Sequence, residues 1–510
     1  MRNPHDEQCA LCRFGLATFL LLAGLTAAAI LVHGYHFGFD DQSVYLPAVK
    51  KALDPSLYPY DAAFFLAQTR LSVFAGLVAQ TIRLTRIPLD WAFLLWHCAT
   101  VFLLLAGCWR IARRCFRTAP GICGSLLLLA ALLTLPVAGT FVALCDPYLH
   151  SRALATALLL MAFADALERR PRIAVWVILA ALIHPVLAAM GLWHIAVQLW
   201  PANPADSPPQ QSAGAGAAAL LAPAPAGWLA QWFADPSSAA WREALSSRRY
   251  LFPRQWTWYE QLGAFAPLGI LWWFARAAES HKLNEAARVC RRMAISGGAG
   301  VAVGYAIGFT PALLPLVPLE PMRVLHLVYL LMVLFAGGLG GELLAARWKY
   351  AAAAALAPLA FGMFFAQRTE LDATPHIEWP GTIPRNDWRE AFEWIRMHTP
   401  RNALFAMNPA FLALPGENEH GFRGLAERGQ LAEAAKDRAV SRNIPGLAWA
   451  WRDQVHVQQG IDGFDLRRLE ELRKRYGVTW LLLWKKAEGS ERAALDCPFE
   501  NATIRVCRAP

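Results

Sequence analysis

Asp40 and Asp41 stand side by side in HFGFDD (36–41), just beyond an apolar run, Phe14 to Val32, of membrane length. Ionised carboxylates are costly near a bilayer unless they have a partner or a task. A carboxylate whose basicity is raised by partial burial can take a proton from a hydroxyl, so this pair is the first candidate for chemistry. Further ionisable residues border or interrupt later apolar runs: Asp146, His150 and Arg152 in CDPYLHSR, and Glu320, Arg323 and His326 in PLEPMRVLH. His184 and Pro185 lie within ALIHPVLAAMGLWH, and His36 precedes the acidic pair. Arg248, Arg249 and Arg254 accompany Trp228, Trp232, Trp241, Trp256 and Trp258, a mixture that suits the headgroup layer or the lining of a lipid-phosphate or sugar site. Each also has a plainer reading. Either aspartate could cap a helix starting near Ser43, Glu320 and Arg323 could form a simple pair, Asp146 could be a turn residue before Pro147, and His184 could satisfy a carbonyl freed by Pro185.

The elements that must position these residues follow from composition. The chain has 510 residues, 56% hydrophobic and only 17% charged, which is too apolar for an ordinary soluble enzyme. Its net charge of +10 sits in short basic segments between apolar runs, namely the N-terminus, 110–117, 168–172, 276–292 and 346–349. That pattern sets membrane orientation rather than recognising nucleic acid, and places all five segments on the cytoplasmic side. The reading predicts a polytopic α-helical membrane protein of about nine spans, near 14–33, 89–109, 121–142, 153–168, 172–199, 258–276, 294–317, 323–345 and 350–366. The first is a retained helix rather than a cleaved signal, and 64–86 is an interfacial or re-entrant helix. The loops 34–88, 143–152, 200–257 and 318–322 then lie outside and collect the acids, histidines and arginines named above. No internal repeat of the kind many transporters carry is visible.

The stretch from Pro201 to Gly227 is a Pro, Ala and Gly rich insertion. Most cysteines read as small buried hydrophobes, and Cys9 with Cys12 is an isolated CxxC. Cys497 and Cys507 lie in a tail expected outside, where a disulfide is a fair expectation. Two domains follow, a transmembrane body over 1–367 and a soluble extracytoplasmic α/β domain over 368–510. In the latter, 386–400 and 464–477 have helical spacing with a Pro and a Gly stop, and 403–409 and 478–485 read as buried strands. This domain shows no phosphate loop or catalytic triad.

The acidic pair in the first outer loop, Arg323 at the start of a late helix, and WREAFEWIRMHTPRNALFAMNP (388–409) opening a soluble domain resemble the glycosyltransferase C superfamily. That resemblance implies a membrane glycosyltransferase using a polyprenyl-phosphate-linked sugar at the outer face of a bacterial inner membrane. It implies Asp40 or Asp41 as the essential acid and Arg323 as the phosphate contact; the residues that the topology collects on the outer side, Glu320, His326, Asp146, His150, Arg152, His36, His184, Arg248 and Arg249, are further substrate-binding candidates. Partners would be membrane lipid, the lipid-linked sugar and an acceptor glycan, lipid or protein of unspecified kind. No cofactor is fixed by the sequence, and a divalent cation stays open. The competing readings are a transporter or lipid flippase and a catalytically inactive membrane scaffold.

Overall fold

The computed structural model describes residues 15–201, 238–344, 348–382, 386–485 and 495–510. Cys9, Cys12, the N-terminal basic residues, Trp228, Trp232, Arg347 and most of the 201–227 insertion lie outside them. The chain is mostly helical, with a sheet-containing C-terminal domain, and falls into two units. One comprises 1–34, 95–226 and 248–367; the other comprises 35–94, 227–247 and 368–510.

In the first unit, Leu16–His33 is apolar around its whole circumference, and its polar Thr26 satisfies its own hydroxyl on the Leu22 carbonyl at 2.8 Å. Gly34 ends the helix at φ 82°, its N–H closing onto Ile30. Ser151–Leu167 is buried at every position but Met161, so its apolar sequence reflects a helical core rather than a lipid face. Leu325–Leu343 packs against Ala119–Ala131 through FAGGLGG. A Cβ at Gly337 or Gly341 would run into the backbone of Gly124 or Pro120, so only glycine lets the two helices approach this closely. Glu342 then receives the N–H groups of Arg117 and Thr118 at 2.6 and 2.8 Å.

Among the described residues, three helices are long and apolar enough to cross a membrane: Leu16–His33, Leu89–Cys115 and Pro321–Leu343. A fourth arises if Ala63–Thr69 and Phe74–Thr85, bent by 95° at their break, count as one broken span or re-entrant loop. Helices also occupy the other expected segments. However, Ala119–Ala131, Ile173–Ile183 and Pro185–Leu199 are short, because a hairpin (β1, Pro136–Val137; β2, Val142–Ala143) replaces the end of one and His184 interrupts the other two. Three of the expected cytoplasmic basic segments meet. Arg110 pairs with Asp165 and Glu168, Arg172 approaches Asp165 at 3.6 Å, and Arg117 donates to the Lys282 carbonyl at 2.6 Å.

The second unit is built on a five-stranded sheet. Its strands are β3 (Leu404–Met407), β4 (Gly429–Gln430), β5 (Trp480–Trp484), β6 (Phe499–Glu500) and β7 (Ile504–Arg508), ordered β4-β3-β5-β7-β6. β3 runs parallel to β4 and β5, and β7 runs antiparallel to β5 and β6. Alternation divides the strands between two cores. Phe405, Met407, Trp480 and Leu482 pack with Trp388 and Phe392, whereas Leu404, Ala406, Leu481 and Leu483 pack with Leu469 and Leu472. The expected helices appear as Asp387–His398, capped by the Asn386 side chain, and Leu466–Tyr476, capped by Asp465 and ended by Gly477 at φ 73°. Cys497 and Cys507 are disulfide-bonded beside β7.

Segment 35–42 also belongs to this unit and lies between two distant stretches. Tyr35 exchanges hydrogen bonds with His376 and Glu378 at 3.0 and 2.8 Å, while Asp40 N–H donates to Glu419 and Gly421 N–H to Gly38, at 2.9 and 3.0 Å.

Candidate functional site

The helix Gln42–Leu53 begins directly after the acidic pair, yet Asp41 caps nothing through its side chain. Asp40 takes a left-handed backbone at φ 49°, uncommon for a residue with a Cβ. Both carboxylates turn to Lys436, which bonds to Asp40 and lies 3.0 Å from Asp41. Lys436 opens the helix Lys436–Asn443 and is mostly enclosed, whereas the side chains of Asp40 and Asp41 stay 22% and 32% exposed. The acidic pair is thus anchored on one side and reachable by water on the other. Burial draws the Lys436 ammonium down to about 7.

Behind Lys436 lies a buried charged network. Asp437 takes both terminal nitrogens of Arg423 at 2.8 Å, and Arg423 also bonds to Asp61, which accepts the Gln430 N–H at 3.0 Å. One guanidinium is shared by two carboxylates, and Glu433 sits beside Asp437; burial and then that neighbour push the Glu433 carboxyl up to about 7.

His36 is fully buried and meets the carboxylate of Glu378 at 3.2 Å. The same oxygen receives His420 at 2.8 Å, and Arg389 reaches the other at 3.4 Å while donating to the Phe37 carbonyl at 2.9 Å. Burial pushes the Glu378 carboxyl up, but the charges of His420 and Arg389 and the two imidazole hydrogen bonds outweigh it and hold it well below the usual carboxylate range.

The remaining candidates belong to the first unit. Arg152 donates to Asp146 at 2.8 Å, and His150 caps Ser151–Leu167 by accepting the Arg152 N–H at 2.9 Å. Glu320, left-handed at φ 52°, pairs with Arg323 at 2.5 Å and accepts the Tyr250 hydroxyl at 3.2 Å. His326 binds the Leu144 carbonyl at 3.0 Å, and His184 caps Pro185–Leu199 through the Leu187 N–H at 3.3 Å. The charges of His150, Arg152 and Arg323 act on His184, and those of Arg152, Asp146 and Arg323 on His326, so these residues form one neighbourhood. Arg249 lies apart from that group's ion pairs, bonded to Glu260 at 2.8 and 3.0 Å, and Arg248 is half-buried just before it. Trp256 is buried in this unit and Trp241 in the other, so neither presents its ring to headgroups as the sequence suggested; Trp258 is exposed.

Among the described residues, no group of three or more His, Cys, Asp or Glu side chains could hold a metal ion. At the acidic pair both carboxylates bond to Lys436. Lys436, Glu378, His420 and Arg389 were not singled out in the sequence. Nothing local marked them, because charge is dense along the whole of 368–510 and Lys436 stands in it as one basic residue among many.

No match is found among family models or among curated proteins. Among solved structures the chain is similar to the Archaeoglobus fulgidus oligosaccharyltransferase, crystallised with Zn and sulfate. The identity is 12% and the TM-score 0.45, over 91% of this chain and 68% of that one.

Proposed function

We propose that this chain is a membrane glycosyltransferase that moves a sugar from a polyprenyl-phosphate donor to an acceptor at the outer face of a bacterial inner membrane. The observation that carries the reading is the acidic pair: the Asp41 side chain does not cap the helix that follows, and both carboxylates stay partly exposed beside Lys436. In the reaction, Asp41 or Asp40 takes the acceptor hydroxyl proton while that oxygen attacks the anomeric carbon of the donor sugar. The carbon–oxygen bond to phosphate breaks, and the electron pair leaves with the polyprenyl phosphate. A guanidinium would stabilise that charge through paired hydrogen bonds, and Arg323, which pairs with Glu320, is the one that the glycosyltransferase C resemblance puts forward. The orientation adopted puts the N-terminus inside and 368–510 outside, and the meeting of three basic segments supports their lying on one side.

Transfer from a polyprenyl-phosphate sugar in proteoliposomes tests the proposal. Removing a general base costs about 10²–10⁴ in rate, so Asp40→Asn and Asp41→Asn, singly or together, should include a loss of that size. Unchanged transfer in all three rejects the assignment. The break at His184 favours one second reading, since transporters build sites at interrupted helices. Lipid or sugar movement in proteoliposomes without covalent transfer would put that reading first.

A further inference from the structure

The second unit holds a cavity of about 580 Å³ that none of the chemistry above uses. This lies within the range of about 300–1,000 Å³ typical of small-molecule sites. On its rim Trp379 is 53% exposed. The indole is carried on the turn WPGT (379–382), in which Thr382 N–H closes onto the Trp379 carbonyl at 3.1 Å and Gly381 takes φ 79°. Pro then Gly at the two central positions is the signature of a type II turn. Asp90, which also lines the cavity, accepts the Gly381 N–H at 2.8 Å and so fixes the turn that presents the ring.

Each cation facing this cavity already has a carboxylate. Lys50 meets Glu427 at 2.7 Å, Arg396 bonds to Glu393, and Arg389 approaches Glu378 at 3.4 Å. A charged ligand would have to compete with one member of each pair. A hydrocarbon would bury the pairs with nothing to replace water. Hydroxyl groups suit them, because one hydroxyl can donate to the carboxylate and accept from the neighbouring ammonium or guanidinium. An exposed indole beside such pairs offers a flat surface for the C–H face of a sugar ring.

We infer that this cavity binds a short neutral oligosaccharide, with Trp379 as the stacking platform and the Arg396–Glu393 and Lys50–Glu427 pairs as hydroxyl ligands. The inference does not depend on the transferase reading, because binding here requires neither donor lipid nor turnover.

The test uses the full chain in glycolipid-free nanodiscs, without donor. Maltotriose, cellotriose and triacetylchitotriose are titrated by calorimetry and saturation-transfer NMR, with trigalacturonate and unacetylated chitotriose as charged comparators. At least one neutral probe should bind saturably and at least about tenfold more tightly than either charged one. Trp379→Ala and Glu393→Gln should each weaken it by about tenfold or more, and Trp449→Ala, an exposed indole elsewhere in the unit, should leave it unchanged. Failure of all three neutral probes, tighter binding of a charged one, or wild-type affinity in Trp379→Ala overturns the inference. Loss of transfer in the aspartate variants, with binding intact, would leave it standing.

Discussion

Replacing Glu378 with Gln gives the sharpest test of how the acidic loop is held. The change keeps shape and one acceptor oxygen but removes the charge that faces His36, His420 and Arg389 at 3.2, 2.8 and 3.4 Å. Glu378 is only 3% exposed, so solvent screens little of that loss. Breaking a buried pair costs about 3–5 kcal/mol, and the retained acceptor argues for the lower end, about 3 kcal/mol. For a unit of about 150–250 residues each kcal/mol moves Tm by about 2–4 °C, so the variant should melt roughly 6–12 °C below wild type at neutral pH. The pH dependence has a definite sign. The folded carboxyl lies below its ordinary 4.5, so its contribution is complete above that value and lost as pH falls through the folded one. Thermal melts of both proteins in one detergent, from neutral pH down to about pH 3, should therefore converge towards the acid end. A difference under about 2 °C at neutral pH, or a gap that fails to narrow on acidification, would refute the reasoning.

Lys436→Met strands two adjacent carboxylates. Because both stay partly exposed and the variant also removes a buried ammonium drawn down to about 7, melts should change by less than about 1 kcal/mol, well under the Glu378→Gln loss. Glu433 behaves oppositely to Glu378: its carboxyl is raised from 4.5 to about 7, so stability present below 4.5 is lost as pH rises through about 7. Glu433→Gln should then match wild type in acid and exceed it on the alkaline side, and equal Tm profiles across that range would rule this out. The Cys497–Cys507 bond should appear as a linked pair in non-reduced tryptic fragments, and Cys497→Ser should lower stability by about 2–3 kcal/mol for so short a loop.

The C-terminal helices and strands were legible because local signals agree there. Asn386 and Asp465 cap, Gly477 stops, and Leu404 to Met407 alternate between two cores. Span counting went less well because hydropathy does not distinguish lipid from protein interior. Ser151–Leu167 is apolar owing to its burial among other helices, and the hairpin at 136–143 replaces what composition read as the end of a span. The acidic pair could be found from its types and place, but its partner could not. Lys436 lies 396 residues from Asp40, in AEAAKDR, which reads as an ordinary solvated helix start. Likewise His36 looked like a member of an exposed site, whereas Glu378, 342 residues later, draws it into the interior.

The bridging of 35–42 by residues near 377 and 420 has a consequence for biosynthesis. The chain is made from its N-terminus, so the loop bearing Asp40 and Asp41 emerges long before the backbone and the lysine that shape it. Pairings of such long sequence separation form late. The acidic pair therefore acquires its geometry only once the chain has been made through Lys436, and a nascent chain that stops short of it would carry the two aspartates without that arrangement.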